Sequence, residues 1–173
     1  MKLIEFDGME FKIADEALLV RPIRELFLKD KTQRKEAFWK QISYLWFMCD
    51  PRSTYQYIID SDERSEEIKK QEGLGEDWQP SDLLKEAMDC YRKQTITTSA
   101  ILLEGMRKGI DKLSTFLGTT DFTDKTVASM TSALRQIPEL ARALVEAEKS
   151  LAKDFATDDK ARGTAQKAVG EDV

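Results

Sequence analysis

The stretch 123–155, TDKTVASMTSALRQIPELARALVEAEKSLAKDF, decides the fold. Its apolar residues recur in alternating steps of three and four, interrupted at Glu148, and this spacing predicts an amphipathic helix with a coiled-coil seam. Thr123 or Asp124 is expected to cap the helix, and Pro138 is expected to kink it or split it into two. The stripe consists of Val127, Met130, Leu134, Ile137, Ala141, Leu144, Leu151 and Phe155.

The preceding stretch 81–117, SDLLKEAMDCYRKQTITTSAILLEGMRKGIDKLSTFL, has the same spacing. Ser81 is expected to cap one long helix that Gly118 ends, with a local kink at 95–99 or at Gly105 and Gly109. Two such helices joined by a few residues predict an antiparallel hairpin with arms of roughly 50–55 Å, at about 1.5 Å per residue. The stripe of this first arm consists of Leu84, Met88, Tyr91, Thr95, Thr98, Leu102, Met106, Ile110, Leu113 and Leu117.

The first fifteen residues alternate between apolar and polar side chains around Asp7-Gly8. This pattern predicts a β-hairpin, and a two-residue Asp-Gly turn would set Phe6 opposite Met9. An isolated two-stranded ribbon is marginal in water, so three arrangements are open. The ribbon pairs with a sheet edge, lies on the helices, or is completed by a neighbouring subunit.

The segment between the β-hairpin and residue 81 predicts three shorter helices. Pro22 suits the first turn of a helix that ends near Lys29, and Asp30 or Thr32 is expected to cap the next. That second helix is aromatic on much of its circumference, which favours the centre of the core, and it should stop at Asp50-Pro51. A charged helix capped by Asp60 or Ser61 and a glycine-bearing linker, 72–77, follow.

These elements predict a mainly α fold: a helical domain with a long antiparallel helical hairpin and a short N-terminal β-hairpin. The predicted organisation is a clasp at 1–15, one helical domain at 16–156, and a flexible C-terminal tail at 157–173. The tail is rich in Ala, Gly, Lys and Asp and is expected to become ordered along a partner.

The composition argues against several functional classes. Of the 173 residues 34% are charged and 41% hydrophobic, the net charge is −5, and histidine is absent, which removes the commonest general base and metal ligand. Cys49 and Cys90 are too isolated for a zinc site and are expected to be buried thiols in a reducing compartment. The first residues do not read as a signal peptide, and no run is long and apolar enough to span a bilayer.

Charged clusters along the chain are interpreted as solvated helix faces. The carboxylates at 62–67 alternate with basic residues, and the glycines at 72–77 lack the Lys-Ser/Thr ending of a phosphate loop. Basic residues at 29–40 lie next to Trp39, so a nucleic-acid surface is the alternative to an exposed helix face there. The sequence therefore predicts no enzyme, with no catalytic, cofactor-binding or metal-binding residue.

Two features are candidate subunit contacts. At the proline corner after the aromatic helix, Arg52 faces a carboxylate either in its own chain or in a neighbouring subunit. The second feature is a group of apolar residues off the main helical stripe, which favours self-association or docking on another protein. The candidates are Asp50, Arg52, Tyr55, Tyr57, Ile96, Ile101, Leu103 and Phe116.

Residues 24–57, RELFLKDKTQRKEAFWKQISYLWFMCDPRSTYQY, resemble a small helical protein encoded among the virion genes of crAss-like and related tailed phages. The resemblance continues through Trp78 and SDLLKEAMDCYRKQT, and more weakly to Leu151. The N-terminal hairpin and the tail after Phe155 do not share it.

This resemblance implies a neck ring, or head-to-tail adaptor, that sits below the portal and joins the head to the tail. Such adaptors are helical and form cyclic homo-oligomers, commonly dodecamers, with the portal and other neck or tail proteins as partners. The implied location is the virion, assembled in the host cytoplasm close to packaged DNA, with no cofactor. The alternative is a non-catalytic helical scaffold or binding protein that acts as a small oligomer.

Overall fold

The computed structural model describes residues 3–6, 10–75, 77–121 and 123–169, with side chains as far as 156. The fold is mainly helical with a short antiparallel β-hairpin at its N-terminus, as predicted. Within the described chain the elements are β1 (Ile4–Phe6), β2 (Phe11–Ile13), α1 (Arg21–Lys29), α2 (Glu36–Cys49), α3 (Ser61–Gln71), α4 (Asp82–Thr95), α5 (Thr98–Thr119) and α6 (Val127–Val169). Two 3₁₀ turns, Asp15–Leu19 and Thr54–Tyr57, precede α1 and α3.

The chain divides into two compact units, Met1–Ile96 and Thr97–Val173. The boundary falls inside the single helical domain predicted for 16–156. It also falls inside the predicted first arm of the hairpin, because that arm is two helices, α4 and α5. Ile96 and Thr97 are extended, and the Thr97 hydroxyl accepts a 3.1 Å hydrogen bond from the Ala100 amide to start α5. The β-branched run 95–98 weakens the helix there and its threonine caps a new one.

The first unit is built around α2, as its aromatic sequence predicted. Phe38, Ile42, Tyr44 and Leu45 are almost fully buried among the surrounding helices. The helix ends at Cys49, where burial raises the pKa of the thiol to about 11. Cys90 is only half-buried, and both cysteines are free.

Helix α2 begins later than predicted, after Lys35 in the left-handed conformation. Asp30 nevertheless serves this end: one carboxylate oxygen accepts the Phe38 amide at 3.0 Å, and the other accepts the amide and hydroxyl of Thr32. The Lys35 ammonium donates to the carbonyls of Phe27 and Asp30. The hydrogen bonds from Phe38 and Thr32 lower the pKa of Asp30 to about 2.

The N-terminal ribbon lies on the helices, which is the second of the three arrangements left open. Phe6 and Phe11 stack with ring centroids 4.5 Å apart, and Phe6 also lies 5.2 Å from the Trp46 ring. The register pairs Phe6 with Phe11 and Ile4 with Ile13, so the predicted pairing of Phe6 with Met9 is wrong. This register places both rings of one cross-strand pair against α2. The predicted Asp-Gly turn lies outside the described residues.

The second unit is the helical hairpin. Helices α5 and α6 pack through a seam of buried and half-buried residues: Ala100, Leu103, Met106, Leu144, Ala147, Leu151 and Phe155. Contacts between Ser99 and Ser150 and between Arg107 and Glu148 show that the two helices are antiparallel. With 22 residues, α5 is about 33 Å long at 1.5 Å per residue, which is shorter than the predicted arm.

The seam of α5 contains Leu103, where the sequence predicted Leu102. Leu102 is instead exposed, whereas the later residues of the predicted stripe, Met106, Ile110, Leu113 and Leu117, are half-buried. On the other arm, α6 runs through Pro138 without being split and continues to Val169. The predicted tail is therefore helical from 157 to 169, and residues 170–173 lie outside the described part of the chain.

Candidate interaction surfaces

The corner that follows α2 is held by a buried ion pair. Asp50 is fully buried; one of its oxygens accepts from the amide and Nε of Arg52, at 2.9 and 2.8 Å. The other accepts from Nη2 of Arg52 at 2.7 Å and from the hydroxyl of Tyr91 at 2.6 Å. Nη2 also donates to the carbonyl of Ile4 at 3.0 Å. The cluster therefore ties β1, the end of α2, and α4 together by charge-assisted hydrogen bonds.

The protonation states in this cluster follow from its burial. Burial and the neighbouring Asp50 charge raise the pKa of Tyr91 well above its usual value, so the phenol stays protonated and donates. Burial opposes the charge of Arg52, but the hydrogen bond and charge of Asp50 outweigh that effect and raise its pKa. The cluster therefore holds a charged Arg52 and a neutral Tyr91 around Asp50, an arrangement that suits a structural role.

A second set of hydrogen bonds closes the same corner. The Ser53 hydroxyl donates to the carbonyl of Phe47 at 2.8 Å and accepts from the Tyr55 amide. Arg64 donates to the carbonyls of Ile58 and Met48 from α3. The carbonyls of Phe47 and Met48 belong to the end of α2, which leaves them without helical partners, and these donors satisfy them. Sequence reasoning missed Arg64, because in a run of alternating charges nothing distinguishes it from its neighbours.

The two tyrosines of the corner differ in accessibility. The Tyr55 ring packs against Phe47 with centroids 5.1 Å apart, and its hydroxyl donates to Glu72 at 3.0 Å. Burial, with the hydrogen bond to Glu72, raises the pKa of Tyr55 to about 12. Tyr57 is 68% exposed. Among the four predicted contacts of this corner, Tyr57 is thus the side chain most open to solvent.

The remaining predicted contacts lie at or beyond the end of α4. Ile96 follows α4 directly, and Ile101 and Phe116 are on α5; all three are exposed. Leu103 is only 2% exposed, since it belongs to the hairpin seam, whereas its neighbour Leu102 is 56% exposed. The structure therefore brings Ile101 and Phe116 to the surface of the hairpin and places Leu103 inside it.

Two uncharged strips run along the hairpin outside its seam. The first, called the α5 face, consists of the exposed residues Leu102, Gly105, Gly109 and Phe116. The second, called the α6 face, consists of the exposed residues Val127, Leu134, Ala141 and Val145. The named residues of both strips are uncharged in a chain with 34% charged residues, and the exposed Lys112 borders the first strip between Gly109 and Phe116.

The two faces lie on opposite sides of the hairpin. At 3.6 residues per turn, the α5 face is offset from its seam by roughly a third of a turn, and the α6 face by roughly a quarter. Viewed along each helix from its N- to its C-terminus, the α5 face is rotated from its seam in one direction, and the α6 face is rotated from its seam in the other. In an antiparallel pair, equal senses would put both faces on the same side, so opposite senses put them on opposite sides.

The first unit also has a cleft of about 280 Å³. Its walls come from α1, α2 and the segment before α4, with Leu26, Lys29, Asp30, Ala37, Gln41, Trp78, Gln79 and Ser81 as lining residues. Across the described ranges, no group of three or more Cys, Asp or Glu side chains is arranged to hold a metal ion. In the same ranges no helix has the length and apolar character needed to cross a membrane.

No protein-family model matches the chain, and no curated protein or solved structure matches it either.

Proposed function

We propose that this protein is a non-catalytic assembly subunit that repeats head to tail in a closed ring. The particular assembly proposed is the neck of a tailed phage, as the resemblance of residues 24–57 implies, where the ring joins the portal to the tail. The observation that supports an assembly role is the pair of exposed apolar faces on opposite sides of the hairpin.

Opposite faces favour a ring over a simple dimer. A two-fold dimer uses the same patch on both subunits, so whichever face it buries, the other stays in water. A repeating contact between unlike surfaces buries both faces of every subunit, and it closes when the rotation between neighbours divides a full circle.

The thin seam of the hairpin also favours assembly. Two of the seven residues in its main cluster are alanines, and each helix buries a single stripe, to which Met130 and Ala133 also belong. A pair of helices with a core of this size gains little from burial, and most helical stability in proteins comes from tertiary packing. Contacts with neighbouring subunits would supply the packing that the hairpin does not provide for itself.

The first unit suits an anchoring role in such a ring. Its corner is rigidly bonded through Asp50, Arg52 and Tyr91, while Leu19, Leu28 and Tyr57 are exposed and open to other neck proteins. The net charge of −5 suits the wall of a DNA channel, because a negative surface does not retain passing phosphates.

Quantitative mass spectrometry of purified particles of the phage that encodes this chain tests the proposal. We expect the chain in a constant ratio to the portal protein, with cross-links to the portal and to other copies of itself. Absence from the particles, or presence only in trace amounts, would remove the neck assignment. A chain that is a monomer or dimer both in solution and in particles would favour the small-oligomer alternative.

A further inference from the structure

We propose that the α5 face of one copy packs on the α6 face of a second copy of this chain. This inference names the partner of the two faces and rests on the proposed head-to-tail assembly. It makes a specific claim: the contact is between unlike faces, so neither face pairs with itself.

The surface profile of the α5 face is concave. Leu102 and Phe116 are 14 positions apart, or about 21 Å along a helix at 1.5 Å per residue. Gly105 and Gly109 lie between them, and a Cβ atom added at either glycine would meet nothing within 4 Å. The backbone is therefore bare and accessible at the middle of the strip, between two large side chains.

The surface profile of the α6 face is the reverse. Leu134 is the largest side chain of the strip and lies toward its middle, with Val127 before it and Val145 after it. A leucine on one helix fits the space above two glycines on another, and the close approach brings the flanking side chains into contact. The exposed Lys112 borders the α5 face between Gly109 and Phe116, and its long side chain can keep the ammonium in water while the apolar strip is buried.

The size of the contact explains why a second copy is the occupant. A stable interface buries about 800 Å² on each partner, and two helix faces of about 20–27 Å by 10 Å offer roughly a third of that area. A single pair is therefore weak. Every copy carries both faces, however, so in a closed ring each subunit makes two contacts, and opening the ring by one contact releases no subunit.

Sedimentation of the full chain over a range of concentrations tests this pairing with three variants. The first, Gly105→Gln with Gly109→Gln, blocks the α5 face, and glutamine is also the better helix former. The second, Leu134→Gln with Val145→Gln, blocks the α6 face. The control, Thr115→Gln, puts the same side chain on an exposed position of α5 outside the face.

We expect the wild-type chain and the control to associate as concentration rises, and each blocked variant alone to stay monomeric. An equimolar mixture of the two blocked variants should associate more than either variant alone but no further than a dimer with one copy of each, because it retains one intact α5 face and one intact α6 face. Circular dichroism checks folding, and Ala141→Gln replaces the second variant if that variant loses helicity.

Three results would overturn the pairing: a blocked variant that dimerises alone, a mixture of the two blocked variants that forms species larger than a dimer, or a wild-type chain that is monomeric at high micromolar concentration. If the pairing of the two faces fails this test but the chain is present in particles at a constant ratio to the portal, the proposed function stands. If the chain associates through unlike faces but is absent from particles, only the neck assignment is removed.

Discussion

The substitution Tyr91→Phe tests the buried cluster at the corner after α2. It removes one hydroxyl, which donates to Asp50 over 2.6 Å in a fully buried setting, and leaves the packing of the ring unchanged. A hydrogen bond to a charged group contributes about 1.5–3 kcal/mol to stability. Arg52 still donates to both oxygens of Asp50 in the variant, so we expect a loss near the lower end, about 1.5–2 kcal/mol.

Urea unfolding followed by tryptophan fluorescence measures this loss in the relevant unit. All three tryptophans of the chain, at 39, 46 and 78, lie in Met1–Ile96, so the signal reports that unit alone. The matched control is Tyr57→Phe, which removes the same hydroxyl from a side chain that is 68% exposed, and we expect a change within about 0.5 kcal/mol. Equal effects of the two substitutions, or no effect of Tyr91→Phe, would refute the reasoning.

Three further predictions follow from single residues. The folded pKa of Asp30, about 2, lies below its unfolded value near 3.9, so its stabilising contribution is present above pH 4 and lost as the pH falls through 2. The difference in melting temperature between wild type and Asp30→Ala should therefore shrink across that interval, and a constant difference would count against the prediction. Leu103→Ala should destabilise the hairpin by about 2–4 kcal/mol and the neighbouring Leu102→Ala by less than about 1 kcal/mol, measured by thermal melts followed by circular dichroism. Equal effects would contradict the seam. Cys90 should react with a thiol reagent at pH 8 much faster than Cys49, whose thiol is buried with a pKa of about 11. Peptide mapping after brief labelling measures the order, and faster labelling of Cys49 would contradict the prediction.

Local signals in the sequence were enough to predict most elements of the fold. The side chains of Asp60 and Ser81 accept hydrogen bonds from the first turns of α3 and α4, as predicted for helix caps. The aromatic helix ends before Pro51 and forms the centre of its core. Each of these features depends on interactions between residues a few positions apart, so a short window of sequence contains the information.

The errors concern how elements meet. The register of the ribbon depends on which rings pack against α2, and the seam of α5 depends on a helix restart at Thr98. The bare apolar periodicity of 81–117 does not distinguish one long helix from two, because a break of two residues preserves much of the pattern. Leu103 therefore replaces Leu102 in the seam beside the new helix start, while Met106 lies in the seam as predicted.

The sequence by itself determined the class of structure: amphipathic helices, a ribbon, helix caps, and a group of apolar residues on the last two helices that lie off the main stripe. Only the tertiary structure decided that Arg52 bonds within its own chain, to Asp50 and to the carbonyl of Ile4, 48 positions away. It also decided that the apolar residues outside the seam form two faces on opposite sides of the hairpin. The physical reason is that periodicity specifies the apolar side of each helix, whereas the partner of that side is selected by packing between residues far apart in the chain, to which local sequence contributes no signal.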